Sequence, residues 1–326
     1  PDYVLDPSAD NIFSGNVTGD GSLVLKVYFA KDVKGGGEDG EESDDIPDRY
    51  QIVFKYEAEE NGVVTGNVTE VHTFGNAQEG YTLPSAITPD ANVTAKGNPG
   101  YHIAGWTDEA KEDLGDDKAP EFEKRTYDSD QIFTVSFAEN DDVTIRYEAE
   151  SHGTVSRNSE TVAPATGTAK GSEATPDPGY HFAGWYLEDE EVSQNLNFIP
   201  SKNSDGIYEE ATYTAKFAPD NNTAYLVEYY YTDQNGDYPE KADEVVKRVG
   251  VTDTLAVVTD QDKQPAREGY ILDETAENIF EGTISGDGSL VLKLYFAKDV
   301  NGGGEKSDEP DDIPDRYQVI FKYKAE

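Results

Sequence analysis

Four histidines are the side chains of this 326-residue sequence best suited to acid–base chemistry near neutral pH. His102 and His181 occupy the same place in two copies of a Gly-Tyr-His-x-Ala-Gly-Trp run. Their recurrence follows from duplication and does not assemble one site. His72 and His152 lack partners at the spacing of a zinc site. We therefore predict structural roles for the histidines, with a ligand or acid–base role as the alternative, and no metal site or cofactor.

The remaining catalytic patterns are missing from the sequence. Gly-x-Ser-x-Gly does not occur, and the Gly-rich stretches lack the Lys-Ser/Thr that a phosphate-binding loop requires. Carboxylates are so abundant that no single pair of them is informative. Since no nucleophile, base and orienting group fall together, the sequence predicts a protein that is not an enzyme and has no catalytic residues.

One acidic stretch resembles a calcium-binding loop. Its oxygen-bearing residues fall at positions 1, 3, 5 and 12 of an EF-hand spacing, namely Asp233, Asn235, Asp237 and Glu244. Position 6, which needs Gly for a sharp turn, is Tyr238, and position 9 is Lys241. Asn-Gly between two strand-like runs is itself typical of a hairpin, so we predict a hairpin without calcium.

Aromatic side chains are the candidate ligand-binding residues. Trp106 and Trp185 each follow Gly in a short apolar run, which favours core positions, although an exposed indole can stack on a sugar ring. Tyr229, Tyr230 and Tyr231 are consecutive, so Tyr230 must point to the opposite face of a strand from its neighbours. Ordinary strand packing is the favoured interpretation, and the alternative is that at least one of these tyrosines faces solvent and binds a ligand.

The composition excludes several classes of partner. Lys and Arg number 26 against 67 Asp and Glu, which leaves a formal net charge of −41. Nucleic acid and anionic lipid both require basic surfaces, so we expect neither. The sequence has no Cys, hence no disulfide or thiolate site, and no run of about 18 apolar residues that would insert in a membrane. Its 21 Tyr and 13 Phe predict packed cores despite the acidity.

The chain is organised as a long repeat. Residues 3–59 and 270–326 align without a gap at an offset of 267, and 40 of the 57 positions are identical. We divide the chain into the C-terminal part of a module (1–32), an acidic Gly-rich linker (33–48), module one (49–140), module two (141–219), module three (220–299), a second linker (300–315) and the start of the next repeat (316–326). Glycines and mutually repelling carboxylates predict solvated, flexible linkers.

Alternating apolar residues predict strands throughout the modules. Modules one and two share their opening strand, the Gly-Tyr-His-x-Ala-Gly-Trp run and a closing strand, so they are homologous within the chain. Thr107–Gly115, with Thr at a possible N-cap and Gly at the end, predicts a short helix. The segment 239–250 fits either a helix or a strand, and its β-branched residues favour a strand.

These motifs resemble known families. Module three, through Val227-Glu-Tyr-Tyr-Tyr-Thr-Asp-Gln-Asn-Gly-Asp and a final Leu-Tyr-Phe strand, resembles the MucBP (mucin-binding protein) domain, as does 1–32. Modules one and two resemble the Listeria–Bacteroides repeat, or internalin B-repeat, through Gly-Tyr-His-x-Ala-Gly-Trp. The resemblance implies β-rich α+β modules of the β-grasp (ubiquitin-like) type, in tandem on Gram-positive cell-wall-attached proteins. The sequence departs from the resemblance by acidic insertions after each Trp, and since no sorting signal or anchor occurs in these 326 residues we expect cell-wall attachment through a part outside this segment.

The resulting expectation is a non-enzymatic, extracellular segment of a bacterial surface adhesin that serves as a stalk for an adhesive tip. Neighbouring repeats of the same chain are its expected partners. One alternative is a module that binds host mucin or glycans by avidity. The other is a subunit of a self-associating fibre, which the strong negative charge opposes.

Overall fold

The computed structural model describes residues 2–122, 125–303 and 307–324; residues 304–306 of the second linker lie outside this set. The chain forms two compact units, one of Pro1–Val143, Thr161–Thr168 and Ser201–Glu209, the other of Thr144–Glu160, Ala169–Pro200 and Glu210–Glu326. The described residues form strands and two single-turn 3-10 helices but no α-helix, which confirms the mainly-β class. No helix among them is long and apolar enough to cross a membrane.

The chain opens with short elements that precede module one. They are β1 (Tyr3–Leu5), β2 (Phe29–Lys31), β3 (Gly35–Gly36), β4 (Glu42–Ser43) and a 3-10 helix (Asp48–Tyr50). β1 pairs antiparallel with β2, and β3 with β4. The first linker therefore contains its own small hairpin.

Module one is a four-stranded mixed sheet with two accessory ribbons. Its strands are β5 (Gln51–Ala58), β6 (Gly62–Gly66), β7 (Thr69–Thr73), β8 (Gly75–Asn76), β9 (Gly80–Tyr81), β10 (Val93–Gly97), β11 (Tyr101–Thr107) and β12 (Gln131–Glu139). The sheet order is β11-β12-β5-β7, and the first and last strands, β5 and β12, pair in parallel at its centre. Alternate residues of β5, among them Ile52, Phe54 and Tyr56, are buried in the core.

Module two repeats the plan with one more strand at the edge. Its strands are β13 (Val143–Ala149), β14 (Gly153–Val155), β15 (Ser159–Val162), β16 (Ser172–Pro176), β17 (Tyr180–Leu187), β18 (Glu190–Ser193), β19 (Asn197–Phe198) and β20 (Ala211–Pro219). The sheet order is β15-β13-β20-β17-β18, again with the first and last long strands parallel and adjacent. Trp185 and Phe198 stack in its core with ring centroids 5.6 Å apart.

Module three has the same arrangement. Its strands are β21 (Thr223–Tyr231), β22 (Glu244–Gly250), β23 (Leu255–Val257), β24 (Tyr270–Leu272), β25 (Glu281–Thr283) and β26 (Val291–Lys298), followed by a 3-10 helix (Asp315–Tyr317). The sheet order is β22-β21-β26-β24, with β21 and β26 parallel. β22 confirms the strand predicted within 239–250. All three modules thus share a central parallel pair of terminal strands.

The helix predicted over Thr107–Gly115 is wrong. Thr107 is the last residue of β11 and forms a bridge with Asp113. The carboxylate of Asp108 accepts hydrogen bonds from the backbone N–H groups of Ala110 and Glu112, both at 3.0 Å, and Lys111 has a positive φ of 62°. An Asp side chain that captures nearby N–H groups favours a turn over a helix.

The linkers differ from the flexible chains expected. In the first, Asp48 Oδ1 accepts the N–H groups of Val33 (2.8 Å) and Lys34 (3.0 Å), which closes the segment into a loop. Asp32, which is buried, accepts those of Asp44 and Asp45 at 3.2 and 3.1 Å. The carboxylates were expected to repel one another, but they accept hydrogen bonds from backbone N–H groups instead. Hydrogen bonds to a charged acceptor are stronger than those between neutral groups.

The second linker makes the same bonds at equivalent positions. Asp315 accepts from Val300 and Asn301, and Asp299 accepts from Asp311 and Asp312. Residues 318–324 form no strand, yet the loop before them is closed in the same way. The described parts of the two linkers thus make equivalent hydrogen bonds whether or not a strand follows them.

Asp48→Ala is expected to open the first linker without unfolding module one. The N–H groups of Val33 and Lys34 should then exchange with solvent faster by roughly tenfold or more, because each hydrogen bond to a charged group contributes about 1.5–3 kcal/mol. Hydrogen exchange followed by mass spectrometry measures this. Asp39→Ala, at an exposed carboxylate of the same linker, is the control, and equal exchange in both variants would contradict a closed linker.

Candidate functional site

Both tryptophans lie in cores. Trp106 and Trp185 are 0% exposed, and each indole Nε1–H donates to a loop carbonyl, that of Asp117 (3.0 Å) or Leu196 (3.2 Å). Stacking on a sugar requires an exposed ring face, which neither indole has here. Trp106 and Trp185 therefore occupy the core positions that the sequence favoured.

The three consecutive tyrosines are buried, which agrees with the strand packing favoured by the sequence and not with the alternative that one of them faces solvent. Tyr229, Tyr230 and Tyr231 are 8%, 6% and 3% exposed. Tyr229 and Tyr231 belong to the core of module three, whereas Tyr230 lies on the other face and stacks on Tyr295 with centroids 4.7 Å apart. Tyr238, from the following loop, packs edge-on against Tyr295 at 4.9 Å. The alternation of the sequence correctly indicated which tyrosines share a strand face, but it did not predict that Tyr295 and Tyr238 pack together beside Tyr230. Ligand binding by Tyr229, Tyr230 and Tyr231 stays a prediction.

The stretch predicted to form a hairpin rather than a calcium loop forms a closed turn. Asp233 Oδ1 accepts the backbone N–H groups of Asn235 (2.7 Å) and Asp237 (3.0 Å), and Gly236 has a positive φ of 85°. These bonds lower the pKa of Asp233 below its ordinary value. The Asp233 carboxylate, at position 1 of the calcium-loop spacing, thus accepts hydrogen bonds from the backbone of its own turn.

Among the described residues, one group has the proximity that a metal site needs. Ligand atoms of Glu70, His72 and Asp90 lie within 4.8 Å of one another. The buried Glu70 carboxylate already accepts from Tyr56 Oη (2.7 Å) and from the backbone N–H groups of Asp90 (2.9 Å) and Ala91 (2.7 Å). Sequence spacing did not predict this cluster, and its hydrogen bonds fit a carboxylate that fixes a loop to the first strand.

Module two contains an equivalent hydrogen-bonded Tyr–Glu pair that fixes a loop, but without the histidine. Tyr147, on the strand equivalent to β5, donates to Glu160 at 2.7 Å, and Glu160 accepts the N–H groups of Lys170 and Gly171, both at 2.9 Å to the nearer oxygen. Burial raises the pKa of Tyr147, and its bond to Glu160 raises it further. Burial also raises the pKa of Glu160, but the bonds from Tyr147 and the loop outweigh it and leave that pKa below its ordinary value.

Acid is therefore expected to weaken module two through Glu160. A carboxylate with a lowered folded-state pKa stabilises the fold above its ordinary pKa of 4.5, and this contribution is lost as pH falls through the folded value. Thermal unfolding between pH 3 and 7 should show a smaller pH dependence in Glu160→Gln than in the parent. Glu173→Gln, at an exposed residue of β16, serves as control; parallel pH profiles for all three proteins would refute the role of Glu160.

The first half of the Gly-Tyr-His-x-Ala-Gly-Trp run contacts the residue at each module boundary, Asn140 or Asp220, and we call these two boundaries joints. The carbonyl of Gly100 accepts the N–H of Asn140 at 2.8 Å, and His102 Nδ1 lies 3.0 Å from Asn140 Oδ1. At the equivalent place the carbonyl of Gly179 accepts the N–H of Asp220 at 2.8 Å, and His181 Nδ1 lies 2.9 Å from Asp220 Oδ1. The two recurring histidines thus have equivalent partners where one module ends and the next begins.

The Asp220 joint is closely packed. Thr252 Oγ1 donates to the Gly179 carbonyl at 2.8 Å, and the Thr252 N–H donates to the Asp220 carbonyl at 2.9 Å. Tyr180 Oη donates to Asp253. A Cβ placed on Gly286 would overlap the carbonyl oxygen of Pro178, so two backbones meet here with no room for a side chain.

The Asn140 joint uses a carboxylate. Glu139 Oε1 accepts the N–H groups of Ala165 (2.6 Å) and Thr166 (2.8 Å), and Oε2 accepts the Thr166 hydroxyl (2.6 Å). The hydroxyl bond is the largest of the effects that lower the pKa of Glu139. Glu139 is one of many acidic residues, and no sequence signal distinguished it.

The Asp-Arg-Tyr at the end of each linker docks on the preceding elements. Tyr50 Oη donates to the buried Asp6 at 2.8 Å, and Arg49 lies 2.5 Å from the same carboxylate. In the second copy Tyr317 Oη donates to Asp273 at 2.8 Å. The near-identity of the two copies indicated in the sequence that Asp-Arg-Tyr has a fixed role. The sequence did not predict that its partner is a buried Asp.

Comparison with known proteins agrees with part of the sequence interpretation. Residues 143–221 match the family model of the divergent InlB B-repeat domain, which confirms the B-repeat prediction for module two. No curated protein matches the chain. Two crystal structures of the pilus adhesin SpaC from Lactobacillus rhamnosus GG align with it at 9% identity. The alignment with the open conformation has a TM-score of 0.21 and covers 76% of this chain and 43% of SpaC. The alignment with the other crystal form has a TM-score of 0.19 and covers 75% of this chain and 42% of SpaC. The chain spans less than half the length of SpaC.

Proposed function

We propose that this chain is a non-enzymatic segment of a bacterial surface adhesin whose tandem modules act as a stiff stalk for an adhesive tip. The carrying observation is that hydrogen bonds cross both module boundaries, from Ala165 and Thr166 to Glu139 and from Thr252 to the Gly179 carbonyl. A stalk holds its length only if its joints are fixed. The B-repeat match of residues 143–221 supports the surface location, which is itself part of the proposal.

The distribution of side chains supports a role without catalysis. The imidazoles of His102 and His181 lie at the joints. Two buried carboxylates, Glu70 and Asp262, already accept hydrogen bonds from tyrosines and loop N–H groups, and Asp262 also from Arg248. Groups committed in this way fix geometry and are poorly placed to move protons to a substrate.

Stiffness at a joint can be measured directly. Because the sequence has no Cys, a spin-label pair can be introduced at exposed positions on either side of the Asp220 joint, as Glu190→Cys with Gln261→Cys. A stalk with fixed joints should show a narrow distance distribution by pulsed electron paramagnetic resonance. A distribution as broad as that of a flexible linker would overturn the proposal.

A mucin or glycan partner rests on the MucBP resemblance of module three alone. Binding of the full chain to immobilised mucin, measured at low and physiological salt and with calcium or chelator, tests it. Saturable binding that is lost in a Tyr230→Ala variant would turn the stalk into an adhesive element in its own right.

A further inference from the structure

Strand β7 carries two potential metal ligands on one side. Glu70 and His72 are alternate residues of this strand, so their side chains point the same way. The Glu70 side chain is 3% exposed and that of His72 26%, and His72 Nε2 lies 3.2 Å from Glu70 Oε2. The His72 ring packs against Phe54 of the core with centroids 5.5 Å apart, which restrains the orientation of the imidazole.

The loop before β10 brings a third potential ligand to the same place. Asp90 donates its backbone N–H to Glu70 Oε2 at 2.9 Å, and its side chain is exposed. One donor atom from each of Glu70, His72 and Asp90 lies within 4.8 Å of the others. Two donors on a tetrahedral zinc ion are about 3.4 Å apart. The distance between His72 and Glu70 therefore already suits an ion, and a rotation of the exposed Asp90 side chain can bring in the third donor.

Module two shows that fixing the loop does not require these additional ligands. Its Glu160 carboxylate accepts the same hydrogen bonds, from a tyrosine and from two loop N–H groups. The residue two positions after it is Val162, and the loop residue at the place of Asp90 is Lys170. Neither side chain can bind a cation, since one is apolar and the other is itself positively charged. His72 and Asp90 are thus ligands that module one has and module two lacks.

We propose that Glu70, His72 and Asp90 bind one divalent transition-metal ion, and that zinc is the ion best suited to these donors. Imidazole nitrogen favours zinc, copper or nickel, whereas calcium and magnesium prefer oxygen donors. Two carboxylates and a neutral imidazole carry two negative charges, which match a divalent ion. Three protein ligands leave the fourth position of a tetrahedral ion to water. Metal binding at this place is a property beyond the proposed stalk.

Hydrogen bonds around Glu70 hold its carboxylate in position for the ion. Oε1 accepts from Tyr56 Oη and from the Ala91 N–H, both at 2.7 Å, while Oε2 lies next to His72. Partners of this kind orient a metal ligand and strengthen binding. The ion would join the loop before β10 to the edge strand β7, and it would stabilise module one because it binds only the folded state.

The test titrates zinc into the full chain by isothermal titration calorimetry, after treatment with a chelator and dialysis. A calcium titration measures weak binding to the many exposed carboxylates. We expect one saturable zinc ion per chain, which excess calcium does not displace. His72→Gln and Asp90→Asn should each weaken zinc binding at least about tenfold, since each removes one ligand and keeps the backbone N–H that Glu70 accepts from residue 90.

The matched control is His181→Gln. This histidine also lies beside a carboxylate, that of Asp220 at 2.9 Å, but it is outside the cluster, so the variant should bind zinc like the parent. Thermal unfolding without metal should be the same in Asp90→Asn and the parent, and zinc should raise the unfolding temperature of module one in the parent more than in Asp90→Asn.

Nuclear magnetic resonance of the imidazole nitrogens provides a readout that needs no variant to fold. Zinc should shift the signals of His72 and leave those of the other three histidines in place, namely His102, His152 and His181. Zinc binding that is weak and does not saturate, as with calcium, overturns the proposal. So does saturable binding that is unchanged in His72→Gln, or a zinc-dependent shift confined to another histidine.

Discussion

Gly286→Ala is expected to uncouple module three from module two while both stay folded. A Cβ at this position would overlap the Pro178 carbonyl oxygen and lie 3.4 Å from the Cα of Gly179, so the two backbones must separate. Separation breaks the bonds of Thr252 to Gly179 and to the Asp220 carbonyl. The Thr252 donors and the two carbonyl acceptors would then bind water, and the joint would lose its fixed geometry.

The spin-label pair at positions 190 and 261 measures this effect. We expect the narrow distance distribution of the parent to broaden in Gly286→Ala, with no change in far-ultraviolet circular dichroism. The repeat supplies a matched control, since Gly19 is equivalent to Gly286 and a Cβ there meets nothing within 4 Å. Gly19→Ala should leave the distribution narrow, and an unchanged distribution in Gly286→Ala would show that the joint is not held by this contact.

Trp185→Ala is expected to destabilise module two by about 3–5 kcal/mol, the usual cost of removing a large aromatic side chain from a core. The indole is 0% exposed, stacks on Phe198 and meets Tyr147 edge-on with centroids 6.0 Å apart. Its loss opens a cavity between the sheet and the β19 loop that neither ring can fill. A loss of this size is comparable to the whole stability of a small domain.

Urea unfolding followed by fluorescence checks this prediction module by module. The chain has two tryptophans, so Trp106 alone reports on module one in Trp185→Ala, and circular dichroism reports on the rest. We expect an early transition for module two and an unshifted Trp106 transition. Trp185→Phe, which keeps an aromatic ring, should cost less, and equal losses in both variants would argue against a packing effect.

Strand positions and cores were largely predictable from the sequence because alternation of apolar residues is a local signal. β22 was read correctly from the β-branched residues of 239–250, and the burial of Trp106 and Trp185 from their apolar surroundings. The helix expected over Thr107–Gly115 failed because the Asp108 carboxylate captures the N–H groups that the helix would have used. A capping residue at a helix start and an Asp turn look alike when only the sequence is known.

The joints and linkers were not predictable in the same way. Repulsion between carboxylates suggested flexibility in 33–48, yet Asp32 and Asp48 act as acceptors for backbone groups 12–15 residues away. Such pairings depend on tertiary geometry and leave no periodic pattern. The recurrence of His102 and His181 was visible in the sequence, but their partners Asn140 and Asp220 are apparent only in the folded structure.

The parallel pairing of the first and last strands bears on how a module responds to tension. The chain enters at the start of β5 and leaves at the end of β12, so a pull on the two ends slides these strands past each other along their length. All hydrogen bonds between them are then loaded together in shear, rather than opened one at a time as in an unzipped hairpin. β13 with β20 and β21 with β26 have the same geometry. This geometry makes each module resist unravelling when tension is applied to its two ends.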